Sequence, residues 1–298
     1  MALIRNGVHD PTTRVIIAAH NRSATQPGEP YVVTRIERAS TTPLGSGSVV
    51  IELLSTGEHH TQSWGPGGPW LAERALRLLA RSTEHHPIQA QHPAVHAALR
   101  DVGQLHLPAT DTPYHEILPA VLGQRITAAQ ALSQWATLCR RYGECAPGPL
   151  ALQLPPSPMR LLAIPSWEFH QLGIEEQRAR TLRCVARHHR YVDAVRELTG
   201  AAARHALMQL PGVGVWTAAV TVGVSHGDPD ALPIGDFHVK NTVAWALTGK
   251  PRGTDDDMLT TLTPYNGQRW QVVRLLERAG YTAPRRGPRR RNLDVARL

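Results

Sequence analysis

The stretch Leu210-Pro-Gly-Val-Gly-Val-Trp-Thr-Ala218 constrains this chain more than any other. It lies between two helix-forming segments, Ala201 to Gln209 and Trp216 to Val224, so the order is helix, tight turn, helix. Two glycines in the turn let backbone amides approach an anion closely. The second helix aims its N-terminal N–H groups and the positive end of its dipole at the same place. A turn of this kind grips phosphate and so holds a nucleic-acid backbone without reading its sequence. Standing alone, a Gly-containing turn between helices is equally an ordinary connector. The formal charge of +8 agrees with a polyanionic partner, although a membrane surface or a ribosome-like partner would suit the same total.

The 298 residues, 42% of them hydrophobic, are enough for more than one buried core. No run of eighteen uncharged apolar residues occurs, and Met1 to Val8 lacks the apolar stretch of a signal peptide, so a cytoplasmic protein is expected. Cys139, Cys145 and Cys184 are too few and too irregularly spaced for a disulfide framework or a zinc site, and read as core residues. Short β-branched runs at Arg14 to Ala18, Tyr31 to Ile36 and Ser48 to Leu53 alternate with turn-forming clusters, which predicts a small antiparallel sheet. Gly45-Ser-Gly-Ser48 has the look of a phosphate loop but lacks the Lys-Ser/Thr, so a turn is expected there. After Gly65 to Pro69 a helix carries Leu71, Ala75, Leu78 and Leu79 on one face, suited to covering the sheet. Beyond His92 the pattern becomes amphipathic helices, clearest in Ala131, Leu132, Trp135, Leu138, Cys139 and Tyr142. The fold class is therefore α+β: an N-terminal sheet domain with a covering helix over 1–91, an all-helical core over 92–282 with the hairpin at 201–225, and a basic, flexible tail over 283–298.

Past the hairpin comes Ile234-Gly-Asp-Phe-His-Val-Lys240, an acidic residue opening a helix whose buried side holds Val239, Val243, Ala244 and Leu247. This pairing of LPGVGxxTA with a helix-opening Asp resembles the helix-hairpin-helix DNA glycosylase superfamily, which also includes endonuclease-III-like enzymes. His92-Pro-Ala-Val95, Ile117 to Thr127, and Leu172-Gly-Ile174 with Arg178 and Leu182 are similar to the 3-methyladenine DNA glycosylase II branch. The resemblance spans residues 92 to 282, where it implies a two-lobed helical core, and a sheet at the N-terminus is of the kind that branch carries.

The resemblance implies that Asp236 is the catalytic carboxylate, although Asp at a helix start is also an ordinary N-cap worth about 1 kcal/mol. Cleavage of an N-glycosidic bond develops positive charge on the sugar, which a fixed carboxylate stabilises. Strand-cleaving members carry a Lys where this chain has Trp216, and the two lysines here, Lys240 and Lys250, lie elsewhere. The expectation is a monofunctional enzyme of base excision repair that flips an alkylated purine of the 3-methyladenine or 7-methylguanine type out of double-stranded DNA and hydrolyses it away, leaving an abasic site. Trp216 matches a pocket aromatic and Tyr265 is a weaker second match, each able to attract a cationic base, while Phe237 and Trp135 read equally as core. Gln124, Arg125, Pro211, Gly212, Val213, Gly214 and Thr217 match the DNA-contacting set. Arg125 departs from the apolar wedge common in the branch. The carbonyls of Met208, Leu210 and Val213 match those that hold a monovalent cation, and no organic cofactor is implied. The paired histidines at 85–86, 92/96 and 188–189 read as surface or capping groups. A monomer is expected. Two alternatives stay open: a non-catalytic DNA-binding module in which Asp236 only caps, and a bifunctional enzyme that also cleaves the strand.

Overall fold

The structure, a computed structural model, describes residues 4–17, 32–81 and 87–284. The basic run 285–291 and the pair His85-His86 lie outside the described residues. Four antiparallel strands, β1 (Thr13–Ile17), β2 (Val32–Thr42), β3 (Gly45–Leu54) and β4 (His59–Trp64), lie side by side in chain order. Val15, Ile36 and Ile51 face one another in register and form an apolar row across the sheet. Helices α1 (Gly68–Glu73) and α2 (Ala75–Leu78) cover that row with Trp70, Leu71, Leu78 and Leu79.

The sheet differs from expectation in two places. β4 is a largely polar and exposed strand without apolar alternation, so its pairing with β3 through a short turn had no sequence signal. Gly45 to Ser48 is not a turn but the first part of β3, the turn itself being Pro43-Leu44. The reason is close packing: a Cβ on Gly47 would lie 2.4 Å from the carbonyl carbon of Gly67, where the chain enters α1.

Beyond residue 92 the described elements are helices: α3 (Pro93–Val102), α4 (Pro113–Leu122), α5 (Ala128–Tyr142), α6 (Pro158–Leu162), α7 (Ser166–Gln171), α8 (Glu176–Arg187), α9 (His189–Ala194), α10 (Gly200–Leu207), α11 (Val215–Ser225), α12 (Val239–Thr248), α13 (Asp255–Thr261) and α14 (Arg269–Arg278). They form two cores. One, built by α4 to α11, centres on Ile117, Trp135, Leu182 and Val222. The other, built by α3 and α12 to α14, centres on Val95, Val243, Met258 and Leu276. The chain begins the second lobe with α3, builds the first, and returns along residues 226–238 to finish the second. α5 buries Trp135, Leu138, Cys139 and Tyr142 and is opened by a Thr127–Gln130 capping box. His92 caps α3, its Nδ1 accepting from the Ala94 amide at 3.1 Å. Among the described residues no group of three His, Cys, Asp or Glu is arranged to hold a metal ion, and no helix is long and apolar enough to cross a membrane.

A buried polar network fastens the sheet to α4. Arg38 of β2 donates to Thr13, Thr112 and, at 2.6 Å, to Glu116. The ring of His115 meets Ser40 Oγ at 2.9 Å and Thr12 Oγ1 at 3.1 Å, and Trp135 Nε1 donates to Asp10. Arg38 and Glu116 are nearly solvent-free, so the cost of desolvating both is met only because each has several partners. Burial, reinforced by Arg38, holds the His115 imidazole well below its ordinary value. Burial raises Glu116 while Arg38 opposes.

Candidate active site

The hairpin turn is shaped by one residue and anchored by two. Gly212 has φ +86°, and a Cβ there would stand 2.1 Å from Thr181 Oγ1 on α8, so only glycine fits. Leu210 and Val213 sink into the first core, and the Val213 amide donates to the Leu210 carbonyl at 3.0 Å. Pro211, Gly212 and Gly214 are left exposed between them. Gly214 is the N-cap of α11, and no side chain caps that helix. A Cβ on Gly214 would meet nothing within 4 Å. The outer lip of the turn is therefore bare backbone at a positive helix end, suited to an anion.

The loop after α4 is clasped to this turn. Gln124 Nε2 donates to the Gly212 carbonyl at 3.0 Å and to Thr217 Oγ1 at 2.8 Å. Thr217 is buried, so its side chain holds the loop rather than facing outward. Arg178 donates to the Leu122 carbonyl and to Gln134, bracing the base of the loop. Arg125 projects at the tip, exposed, with φ +60°, a conformation that costs a non-glycine residue about 1 kcal/mol.

Asp236 sits on the 226–238 connector, half-buried, just before α12. Its Oδ1 accepts from the amides of His238 at 2.7 Å and Val239 at 3.1 Å, and its Oδ2 accepts from Trp216 Nε1 at 3.0 Å. The N-cap of α12 is His238, not Asp236 as expected; the amides at the helix start fix the orientation of the Asp236 carboxylate while the hairpin helix reaches its other oxygen. The connector is pinned along its length by the Arg204–Asp228 pair, by Asp230 accepting from Arg269 at 2.7 Å, and by the Gly235 amide donating to Asp255 at 3.1 Å. Lys240 is occupied as well, its Nζ bonded to Asp255 at 3.1 Å. Trp216 lies against the end of α4, where a Cβ on Gly123 would come within 3.1 Å of its ring. The turn, the Arg125 loop, Trp216 and Asp236 are in this way one continuous surface.

The remaining aromatics divide. Tyr265 is packed into the second core and Trp135 is fully buried in the first. Phe237 is 69% exposed beside the carboxylate, edge-on to the His238 ring. One group was not singled out by the sequence: Trp270, Arg274 and Glu277, spaced along one face of α14 and half-buried. Trp270 lies against α11, its Nε1 within 3.3 Å of where a Cβ on Gly223 would be. Arg274 pairs with Glu277 and stands 5.3 Å over the Trp270 ring. On a helix otherwise lined with Val272, Val273, Leu275 and Leu276, such residues read as a plain solvent face.

A family model described as HhH-GPD superfamily base excision DNA repair protein matches residues 118–265, a span that holds the Gln124–Arg125 loop, the hairpin and Asp236. The chain belongs to the HhH-GPD superfamily. Its α+β fold extends the likeness beyond the matched span. A 3-methyladenine DNA glycosylase from Archaeoglobus fulgidus superposes with a TM-score of 0.64 at 16% identity, over 81% of this chain and 85% of that one. The 8-oxoguanine glycosylase/lyase of Clostridium acetobutylicum, in complex with double-stranded DNA containing cytosine opposite 8-oxoguanine, does so with 0.54 at 14% identity, over 81% and 87%. At these identities the likeness to the solved structures is one of fold. No curated protein sequence matches the chain significantly.

Proposed function

We propose that this HhH-GPD base excision repair glycosylase is monofunctional and releases alkylated purines from double-stranded DNA, with Asp236 as the catalytic carboxylate. The observation that carries the reading is the 3.0 Å bond between Asp236 and Trp216, which ties the acidic group to the first turn of the helix that follows the phosphate-gripping turn. With the backbone held at the exposed lip of residues 211–214 and Arg125 presented to the stack, an extruded nucleoside is received beside the Trp216–Asp236 pair. The fixed carboxylate of Asp236 stabilises positive charge developing at C1′ and orients water for attack there. A cationic alkylpurine is favoured by the face of Trp216, worth roughly 0.5–2 kcal/mol, and leaves without prior protonation.

The absence of a lyase step is supported by Trp216 in place of an amine and by Lys240, the nearer lysine, being paired with Asp255. A monovalent cation on the carbonyls of Met208, Leu210 and Val213 belongs to the same proposal. The Leu210 carbonyl spends one lone pair on the Val213 amide and retains a second, so the turn is compatible with it. The protein is proposed to act as a monomer.

The test is release of free base from a methylated duplex. Asp236→Asn keeps an acceptor for the His238 and Val239 amides, so it should fold normally while release falls on the order of 100- to 1,000-fold. Full activity in that variant would remove Asp236 from the chemistry, and no release by the wild type would leave a DNA-binding module. Borohydride trapping should yield no covalent adduct; an adduct would establish a lyase.

A further inference from the structure

The chain reaches Asp236 through a glycine step. The Asp236 amide donates to the Pro233 carbonyl at 3.1 Å, closing a turn in which Gly235 has φ +89°. A Cβ at Gly235 would meet nothing within 4 Å, so neither a side chain nor packing against one fixes the backbone there. The bonds from the Asp236 carboxylate to His238, Val239 and Trp216 act after that step, on the side chain itself.

The peptide ahead of Asp236 is held from the start of α13. Asp255, the first residue of that helix, accepts from the Gly235 amide at 3.1 Å through Oδ1 and from Lys240 Nζ at 3.1 Å through Oδ2. Two residues earlier, the Gly253 amide donates to Asn241 Oδ1 at 3.2 Å, and Asn241 Nδ2 donates to the Phe237 carbonyl at 2.7 Å. This stretch is seated closely on α12: a Cβ on Gly253 would stand 2.9 Å from the Ala244 Cβ. The residues on either side of Asp236 are therefore held by the same short segment, 253–255. One is held directly, the other through the buried side chain of Asn241.

The start of α13 is complete without Asp255. Thr254 is the N-cap, its hydroxyl accepting from the Asp257 amide at 3.0 Å, and the Asp257 side chain closes the capping box by accepting from the Thr254 amide at 2.8 Å. Asp256 and Asp257 keep the first turn acidic in its absence. The Asp255 carboxylate, with 30% of its side chain exposed, is instead turned to the Gly235 peptide and to Lys240.

We propose that Asp255 is a positioning residue for the reaction: by accepting from the Gly235 amide it removes the freedom of the glycine step and keeps the Asp236 carboxylate aimed at C1′. The inference rests on the glycosylase reading above. The oxygen on the Gly235 amide carries the effect, and the ion pair with Lys240 does not. The consequence falls on the chemical step, because a carboxylate moved by a fraction of an ångström stabilises the sugar cation less. The glycine lip that grips the backbone lies on another element and is untouched.

The experiment measures single-turnover base release from a methylated duplex, as the maximal rate at saturating enzyme and the enzyme concentration that gives half of it. Asp255→Ala should lower the maximal rate about 10- to 100-fold while the half-saturating concentration stays within about twofold of wild type. Asp255→Asn, whose side-chain oxygen still accepts from Gly235, should recover most of the rate. Lys240→Met, which breaks only the ion pair, should release base as the wild type does. A maximal rate in Asp255→Ala within about twofold of wild type would overturn the proposal. So would an equal loss in Asp255→Asn or in Lys240→Met, which would assign the effect to charge. A lowered rate with half-saturation weakened in the same proportion would leave Asp255 a structural residue. In each of these cases the wild type still releases base and the glycosylase reading stands. No release by the wild type would remove that reading and this inference together.

Discussion

Substituting the two turn glycines separates what the hairpin owes to folding from what it owes to DNA. In Gly212→Ala the new methyl must adopt φ +86° and would stand 2.1 Å from Thr181 Oγ1. The left-handed conformation costs roughly 1–2 kcal/mol. Forcing a methyl into occupied space adds about 1–3 kcal/mol. The sum, about 2–5 kcal/mol, corresponds to a fall in melting temperature on the order of 5–15 °C. Adding Thr181→Ala removes the collision but not the backbone strain, so the double variant should recover the second share and keep the first. Gly214→Ala is the counterpart: its backbone is extended and nothing lies within 4 Å of its Cβ. It should melt within about 1 kcal/mol of wild type. Its affinity for duplex DNA should nevertheless fall about tenfold, an effect of 1.4 kcal/mol, because the methyl stands where a phosphate would approach. Calorimetry and fluorescence anisotropy read the two quantities. A Gly212→Ala protein as stable as wild type, or one not improved by Thr181→Ala, would refute the packing account; unchanged DNA affinity in Gly214→Ala would refute the backbone grip.

Two further outcomes concern the network beneath the sheet. The folded His115 is held below the ordinary value near 6.5, so between pH 7 and 5 the unfolded chain takes up a proton that the folded one refuses, and stability falls with pH by up to about 1.4 kcal/mol per unit. Raised Glu116 works in the opposite direction, so the quantity to measure is the difference between wild type and His115→Asn in urea midpoints across that range; a constant difference would contradict the assignment. Arg38→Met strands Glu116 and should cost about 3–5 kcal/mol, most of it regained when Glu116→Leu is added. No rescue in the double variant would mean that Arg38 acts mainly through its threonine partners.

Much of this was legible in the sequence because it depends on local pattern. The helix-turn-helix segment, the covering helix over the sheet and the Trp135 stripe follow from apolar spacing and from glycines placed where a turn needs them. The acidic residue ahead of α12 was visible too; it lies two residues before the N-cap His238, with one oxygen on the first amides of the helix and the other on Trp216. The failures were non-local. β4 is dictated by the strand beside it, not by its own residues. Gly45 to Ser48 looked like a turn because the packing of Gly47 on Gly67 leaves no trace in a window of ten residues. Tyr265 was the weaker match to a pocket aromatic, and its ring is drawn into the second core. The packing of Trp270 on α11 was passed over because a contact between distant segments leaves no mark in an amphipathic pattern.

The bonds from Gln124 to Gly212 and Thr217 join two protrusions that could otherwise have moved independently. If the glycine lip grips the outside of a strand as proposed, the same contact presses the arginine tip toward its interior. On that reading, scanning along undamaged DNA would be a succession of identical probes, each testing one nucleotide's resistance to displacement. Weakly stacked lesions would be found by how readily they yield, before any chemistry begins.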